Sequence, residues 1–252
     1  MEDHWRRLGD HRAPNETRRE SAVVTGAAGG IGAAVARLLA AEGVRCVVVD
    51  CDPRVVEVAE QIGGEAIVGD LTEPQTSVRA VAAAGDHLDL LILNAGVNCL
   101  DKDPATMDLH RYHAVVGVNQ HAVVWGLRAG LPIMRRQGGG AIVVTASLAA
   151  VRPTPQDPIY AMTKHAVIGL VRSLSGALAK EHIRLCAVCP GLVDTPLTAP
   201  GRDRFEAAGI PMLSADAVAA AILETLRVGE PGAELVVRPG HPNTFYRPAP
   251  VP

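Results

Sequence analysis

The chain has 252 residues, of which 48% are apolar but only 3% aromatic, and its 24 Lys and Arg stand against 27 Asp and Glu for a net charge of -3. That length fits one large or two small domains, and the core has to be built from Ala, Val, Leu and Ile, as in parallel sheets covered by helices on both faces. The balanced charge gives no basis for a nucleic-acid surface, and no run approaches the ~18–20 uninterrupted apolar residues of a membrane span.

Residues 1 to 20 carry five Arg and five acidic residues with no apolar stretch, so they read as a polar, disordered extension and not as a signal peptide. Beyond them, short Val/Ile-rich runs alternate with longer Ala/Leu-rich helical patterns. The runs are Ala22 to Thr25, Arg45 to Val49, Ala66 to Val68, Leu88 to Leu93, Ala141 to Thr145, Arg184 to Val188 and Glu234 to Val237. The alternation predicts an α/β fold of right-handed βαβ crossovers on a parallel sheet, with 21 to 240 as a single domain. Gly43 closes a helix that begins near Gly30, long helical patterns span Asp108 to Gln137 and Pro158 to Glu181, and Ser214 opens a further helix. From Arg238 to Pro252 there are five prolines in fifteen residues, which predicts an irregular end and a Pro-rich tail over 241–252. The five cysteines, Cys46, Cys51, Cys99, Cys186 and Cys189, are odd in number and scattered, as expected of reduced thiols in the cytoplasm.

Chemistry enters at the first turn. The first run leads into Thr25-Gly26-Ala27-Ala28-Gly29-Gly30-Ile31-Gly32, and a helix starts at once. Glycines there let the backbone approach a pyrophosphate, and the free N–H groups of the helix start favour the anion. No G-K-[ST] follows, so this is not a P-loop. Eighteen residues after Gly32 the second run ends in Asp50, where a carboxylate accepts hydrogen bonds from ribose hydroxyls and repels a 2′-phosphate. No Arg or Lys follows until Arg54, so NAD is expected over NADP; the plain alternative for Asp50 is a turn former. Asp70, after the third run, falls where an acid can meet the adenine amino group. Tyr160 and Lys164 are four apart in a helical pattern and share one face, where an ammonium lowers the pKa of a neighbouring phenol and makes it usable as a general acid/base. Ser147 lies thirteen residues before Tyr160 at the end of a strand, where its hydroxyl can hold a substrate oxygen, and Asn119 sits unfavourably in mid-helix.

Taken together, these residues resemble the short-chain dehydrogenase/reductase family over roughly 21 to 238. The Thr25 to Gly32 turn matches its glycine motif, Asp70-Leu71 its adenine-pocket element, Asn94-Ala95-Gly96 its motif after the fourth strand, and Asn119, Ser147, Tyr160 and Lys164 its catalytic tetrad. Pro190-Gly191, with Val193 and Thr195, looks like the segment that holds the nicotinamide carboxamide. The resemblance implies a Rossmann-type, doubly wound, seven-stranded parallel sheet and an NAD-dependent alcohol dehydrogenase or ketoreductase. Tyr160 would exchange the substrate proton while hydride passes to or from the nicotinamide. Ser147 would orient the substrate oxygen, Lys164 would bind the nicotinamide ribose, and Asn119 would support a water-linked proton relay. It also implies a homodimer or homotetramer paired through the two long helices.

Two departures from the family pattern matter. Only eighteen residues separate Thr195 from Ser214, a short version of the usual lid, and Arg238-Pro239-Gly240 replaces the common Asp-Gly-Gly ending. The expected pocket residues Leu148, Ala149, Val151, Pro153, Leu192 and Leu197 are mostly apolar, which favours an apolar secondary alcohol or ketone. Cys186 and Cys189 form a C-x-x-C inside a strand and read as structural thiols, and His110 and His113 read as solvated or interface residues, so no metal is expected. Trp125, beside Val123, Val124 and Leu127, reads as an interface or core residue. The competing functions are a silent NAD-binding or regulatory protein on the same fold, and a lyase or epimerase that retains its NAD.

Overall fold

The structure, a computed structural model, describes residues 20–246. The expected extension up to Arg19 and the tail beyond Tyr246 lie outside the described residues. Eight strands form one sheet in the order β3-β2-β1-β4-β5-β6-β7-β8: β1 Ser21–Thr25, β2 Arg45–Asp50, β3 Glu65–Val68, β4 Leu90–Leu93, β5 Gly140–Thr145, β6 Ile183–Pro190, β7 Glu234–Val237 and β8 Thr244–Tyr246. The first seven are parallel, as the alternating pattern predicts. The eighth is an addition: Thr244-Phe245-Tyr246 pairs antiparallel with β7, in a stretch expected to be irregular. A count of prolines overlooks three consecutive β-formers placed between them, and an open edge at β7 gives them a ladder to join.

In β1, β2, β4, β5 and β6 the residues are buried on both faces, which is why those runs read as continuously apolar, whereas β3 and β8 at the sheet edges are largely exposed. Ala22, Val24, Val48, Cys186 and Val188 face one core, packed by α1 (Gly30–Ala41), α2 (Val55–Ile62) and α8 (Ala215–Val228). Val23, Val47, Val49, Leu185, Ala187 and Cys189 face the other, packed by α3 (Pro74–Ala83), α5 (Ala122–Gln137) and α6 (Pro158–Ala179). Between them the two layers hold the core that aliphatic side chains have to supply in so aromatic-poor a chain. From β1 the chain winds outward to β3 and then returns to β4 beside β1. That reversal opens a crevice at the carboxyl ends of the central strands, where open α/β sheets bind ligands.

The long pattern from Asp108 to Gln137 divides in two. Helix α4 (Leu109–Val116) starts where the Asp108 side chain accepts from the His110 N–H, and a π-helical turn at Gly117–His121 separates it from α5. Asn119 lies in that wide turn. A π turn admits one extra residue per turn and so re-aims a side chain that a regular helix would direct elsewhere. The Ser214 cap is present, accepting from the Ala217 N–H at 3.1 Å. Among the described residues no helix is long and apolar enough to cross a membrane.

Candidate active site

The glycine turn is shaped by close approach. Gly26 and Gly30 have φ of +66° and +54°, conformations that side chains resist. A Cβ on Gly26 would sit 2.7 Å from Ala95 Cα, and one on Gly32 would sit 2.1 Å from the Gly26 carbonyl oxygen. No side chain caps the start of α1, so its first N–H groups remain directed out of the helix. Asp50 closes the turn from β2, accepting from the Ala28 N–H and the Asp52 N–H, each at 3.0 Å. Two accepted bonds leave lone pairs on its carboxylate for another donor. Thr25 Oγ1 accepts from the N–H groups of Asn94 at 2.9 Å and Ala95 at 3.2 Å, while Asn94 Nδ2 donates to the carbonyls of Thr25 and Gly26. The Asn94-Ala95-Gly96 segment is thereby stitched to the glycine turn.

The second group of residues lies across the crevice. Ser147 follows β5 and accepts from the Ala149 N–H at 3.1 Å, opening a short 3₁₀ turn at Leu148–Ala150. Helix α6 begins at Asp157-Pro158, where the Asp157 side chain accepts from the Tyr160 N–H at 3.1 Å. Tyr160 and Lys164 stand one turn apart on its cleft side. Lys164 is buried, donates Nζ to the Thr145 carbonyl at 2.9 Å, and has Nζ 5.7 Å from the Tyr160 ring centroid. Burial pushes the Tyr160 phenol up to about 12, with a hydrogen bond from Ser147 pulling it back. Burial also pushes Lys164 down to about 8. For Tyr160 this direction is opposite to the lowering expected from the Tyr-x-x-x-Lys spacing, because burial penalises the phenolate. The same burial that penalises the phenolate also disfavours the Lys164 ammonium.

Asn119 is completely buried. Its Oδ1 accepts from the Val97 N–H at 2.9 Å, and its Nδ2 donates to the Val97 carbonyl at 2.9 Å and to Thr163 Oγ1 at 3.0 Å. Thr163 in turn donates to the Tyr160 carbonyl at 2.7 Å. Asn119 thus braces the loop after β4 against the tyrosine helix. A Cβ placed on Gly96 would lie 3.2 Å from Lys164 Nζ and 3.4 Å from Asn119 Oδ1, so those two groups flank Gly96.

One cleft of about 480 Å³ unites most of the predicted residues: Gly26, Gly30, Ile31, Asp50, Asn94, Ala95, Gly96, Ser147, Tyr160, Lys164, Pro190, Gly191, Val193 and Thr195 all line it. Four do not. Gly32 and Asn119 lie behind its wall, Leu71 is buried in the core, and Asp70 is exposed and accepts from the Thr72 N–H at 2.8 Å. Of the expected pocket residues, Leu148, Ala149, Leu192 and Leu197 line the cleft, whereas Val151 and Pro153 are not part of its lining. The short lid is tied to the loop after β4 by Asn98 Nδ2, which donates to the Leu197 carbonyl at 3.2 Å. Asp157, Thr163 and the side chain of Thr25 escape motif reading. For Asp157 the available signal is an Asp directly before a Pro at a helix start, which marks a cap.

Cys186 and Cys189 are both buried but face opposite sides of the sheet, so they cannot grip one ion together, and burial pushes their thiols up to about 11 and about 12. His110 and His113 are exposed on α4. Trp125 is partly buried and donates its ring N–H to the Thr72 carbonyl at 3.1 Å.

Residues 20–205 match the family model described as short chain dehydrogenase. The 15-hydroxyprostaglandin dehydrogenase [NAD(+)] of Mus musculus is 34% identical over 192 residues, covering 70% of this chain and 68% of that protein. A crystal structure of 3-ketoacyl-(acyl-carrier-protein) reductase from Brucella melitensis complexed with NADH superposes with a TM-score of 0.80 at 28% identity, covering 88% of this chain and 97% of that one. A dehydrogenase from Beutenbergia cavernae with bound NADP gives a TM-score of 0.77 at 30% identity, covering 87% of this chain and 94% of that one.

Proposed function

The chain belongs to the short chain dehydrogenase family, and from that premise we propose that it is an NAD-dependent oxidoreductase acting on an apolar secondary alcohol or its ketone, with Tyr160 as general acid/base. The observation that carries this reading is the convergence of Ser147, Tyr160 and Lys164 with the glycine turn on one cleft. The residues fit a dinucleotide. The turn leaves room only for glycine at Gly26 and Gly32, the α1 N–H groups carry no side-chain cap, and Asp50 keeps accepting capacity toward the cleft. Gly26, Gly30, Ile31, Asp50, Asn94, Ala95 and Gly96 would hold the adenosine and pyrophosphate side, and Pro190, Gly191, Val193 and Thr195 the nicotinamide side. In this reading Asp70 and Leu71 act from outside the cleft wall. An aspartate at position 50 favours NAD over NADP, because its charge accepts from ribose hydroxyls and opposes a 2′-phosphate.

When bound, the nicotinamide supplies the carbon that takes or gives the hydride. In oxidation, Tyr160 as phenolate takes the hydroxyl proton; in reduction, the phenol returns it to the carbonyl oxygen. Ser147 donates to that same oxygen and fixes its place. Lys164 sets a positive charge behind the phenolate, and the relay that returns the proton to solvent would pass Gly96 toward Asn119. Leu148, Leu192 and Leu197 line the cleft with apolar side chains that would keep water from the reacting carbon. The five cysteines are unpaired, which fits the reducing cytoplasm. Leu109, Val124 and Met162 leave large apolar side chains exposed on α4, α5 and α6, which fits pairing of subunits through those helices.

The test is absorbance at the NADH band with NAD or NADP across a panel of secondary alcohols, with the matching ketones run in reverse. Turnover with NAD above that with NADP is expected, and Asp50→Ala should narrow the preference. Absence of any net nicotinamide reduction or oxidation across the panel would overturn the reading in favour of a silent binder or a lyase.

A further inference from the structure

We propose that the substrate end of the cleft is built for an amphipathic alcohol or ketone, an apolar chain that carries a carboxylate, and that Arg152 receives the anion. This rests on the dehydrogenase reading of the same site and adds the substrate class.

The argument starts from the cations of the cleft. Lys164 is committed to the Thr145 carbonyl and Arg54 to Asp52, at 2.9 and 2.6 Å. Arg152 also lines the cleft, and among the described residues its guanidinium has neither an ion pair nor a hydrogen bond. Its backbone N–H donates to the Leu148 carbonyl at 3.1 Å, in the turn that follows Ser147. Of the cleft's three cations, the one five residues after Ser147 is therefore the one left without a partner among the described residues.

The acid on the same wall does not neutralise it. Asp157 is only 5% exposed, and its oxygens accept from the N–H groups of Cys99 at 2.9 Å, Leu100 at 2.8 Å and Tyr160 at 3.1 Å. Three backbone donors satisfy that carboxylate and hold it inward. They also hold Leu100 at φ +60°, a left-handed conformation that costs a leucine about 1–2 kcal/mol, with its side chain 57% exposed on the cleft rim. Leu100, Leu148, Leu192 and Leu197 all line this cleft and give it apolar walls. Arg152 adds to them the one cation lining the cleft that has no side-chain or carbonyl partner among the described residues. A chain of methylenes buries that apolar surface, and a carboxylate takes the guanidinium in bidentate fashion. A neutral sugar would waste the apolar walls, and a plain hydrocarbon alcohol would leave the cation unused.

The experiment uses the full-length chain with NAD and racemic decanoic acids hydroxylated at carbon 3, 5, 7 or 9, each against its methyl ester, with 2-decanol as the neutral reference. At least one acid is expected to exceed its ester in kcat/KM by about tenfold, chiefly through KM, as a charged hydrogen bond to a partly exposed guanidinium would give. Arg152→Gln should collapse that acid-to-ester ratio toward one, and Arg152→Lys should retain part of it. Acid and ester within twofold for every pair would overturn the proposal, as would a preference that survives Arg152→Gln. Decanoate binding, followed by calorimetry without turnover, separates the two levels. Loss of turnover with every alcohol would sink the dehydrogenase reading, while decanoate binding equally to wild type and Arg152→Gln would sink the anion subsite.

Discussion

At the scale of single residues, the pair Tyr160 and Lys164 is governed by burial more than by mutual attraction. The phenol stands at about 12 and the ammonium at about 8, so near neutral pH the tyrosine is a proton donor and the lysine still mostly a cation. Tyr160→Phe should lower turnover by about 10²–10⁴-fold while calorimetric NAD binding stays close to wild type; retained turnover would remove Tyr160 from the mechanism. Lys164 has a folded-state pKa below its ordinary 10.5, so between pH 8 and 10.5 the unfolded chain binds more protons than the folded one. Its contribution to stability is unfavourable below about pH 8 and relaxes as the pH rises. Urea denaturation of wild type and Lys164→Met should therefore show wild type gaining about 2 kcal/mol on the variant between pH 7 and 9.5. A difference that stays constant with pH would mean the ammonium is not desolvated.

At the scale of elements, the start of α6 carries more than a cap. Asp157 joins the loop after β4, through Cys99 and Leu100, to the first turn of the helix that presents Tyr160. Asn119 makes a parallel connection from the π turn, through Val97 on one side and Thr163 on the other. Both polar side chains couple the loop that would face substrate to the helix that would move its proton. Asp157→Ala removes the cap and strands the buried Cys99 N–H, at a cost of about 2 kcal/mol by urea denaturation. It should also free Leu100 from its left-handed conformation and raise KM for long apolar alcohols more than it lowers kcat. An unchanged KM would confine Asp157 to a structural role. The glycine turn was legible as a motif because its constraint is local; these cross-links were not, since their partners lie 22 to 58 residues apart and no spacing rule relates them.

At the scale of the whole molecule, the parallel sheet brings residues from the ends of β1, β4, β5 and β6 to one rim without any of them being near in sequence. The aliphatic layers on both faces pack the strands that end at that rim. The exposed Leu109, Val124 and Met162 lie on α4, α5 and α6. A dimer or tetramer by sedimentation is the expected state, with Val124→Asp shifting it toward monomer; a wild-type monomer at micromolar concentration would refute the pairing.

By itself the sequence determined the strand and helix alternation, the glycine turn, and the order of Asn119, Ser147, Tyr160 and Lys164, because periodicity, glycine conformation and motif order are properties of neighbouring residues. The eighth strand, the π turn around Asn119, the exclusion of Asp70 and Leu71 from the cleft wall, the raised phenol and the unpaired Arg152 were decided only in three dimensions. Each depends on what the packed chain places opposite a residue: a free sheet edge, a backbone amide, a dry wall, or no counter-charge among the described residues.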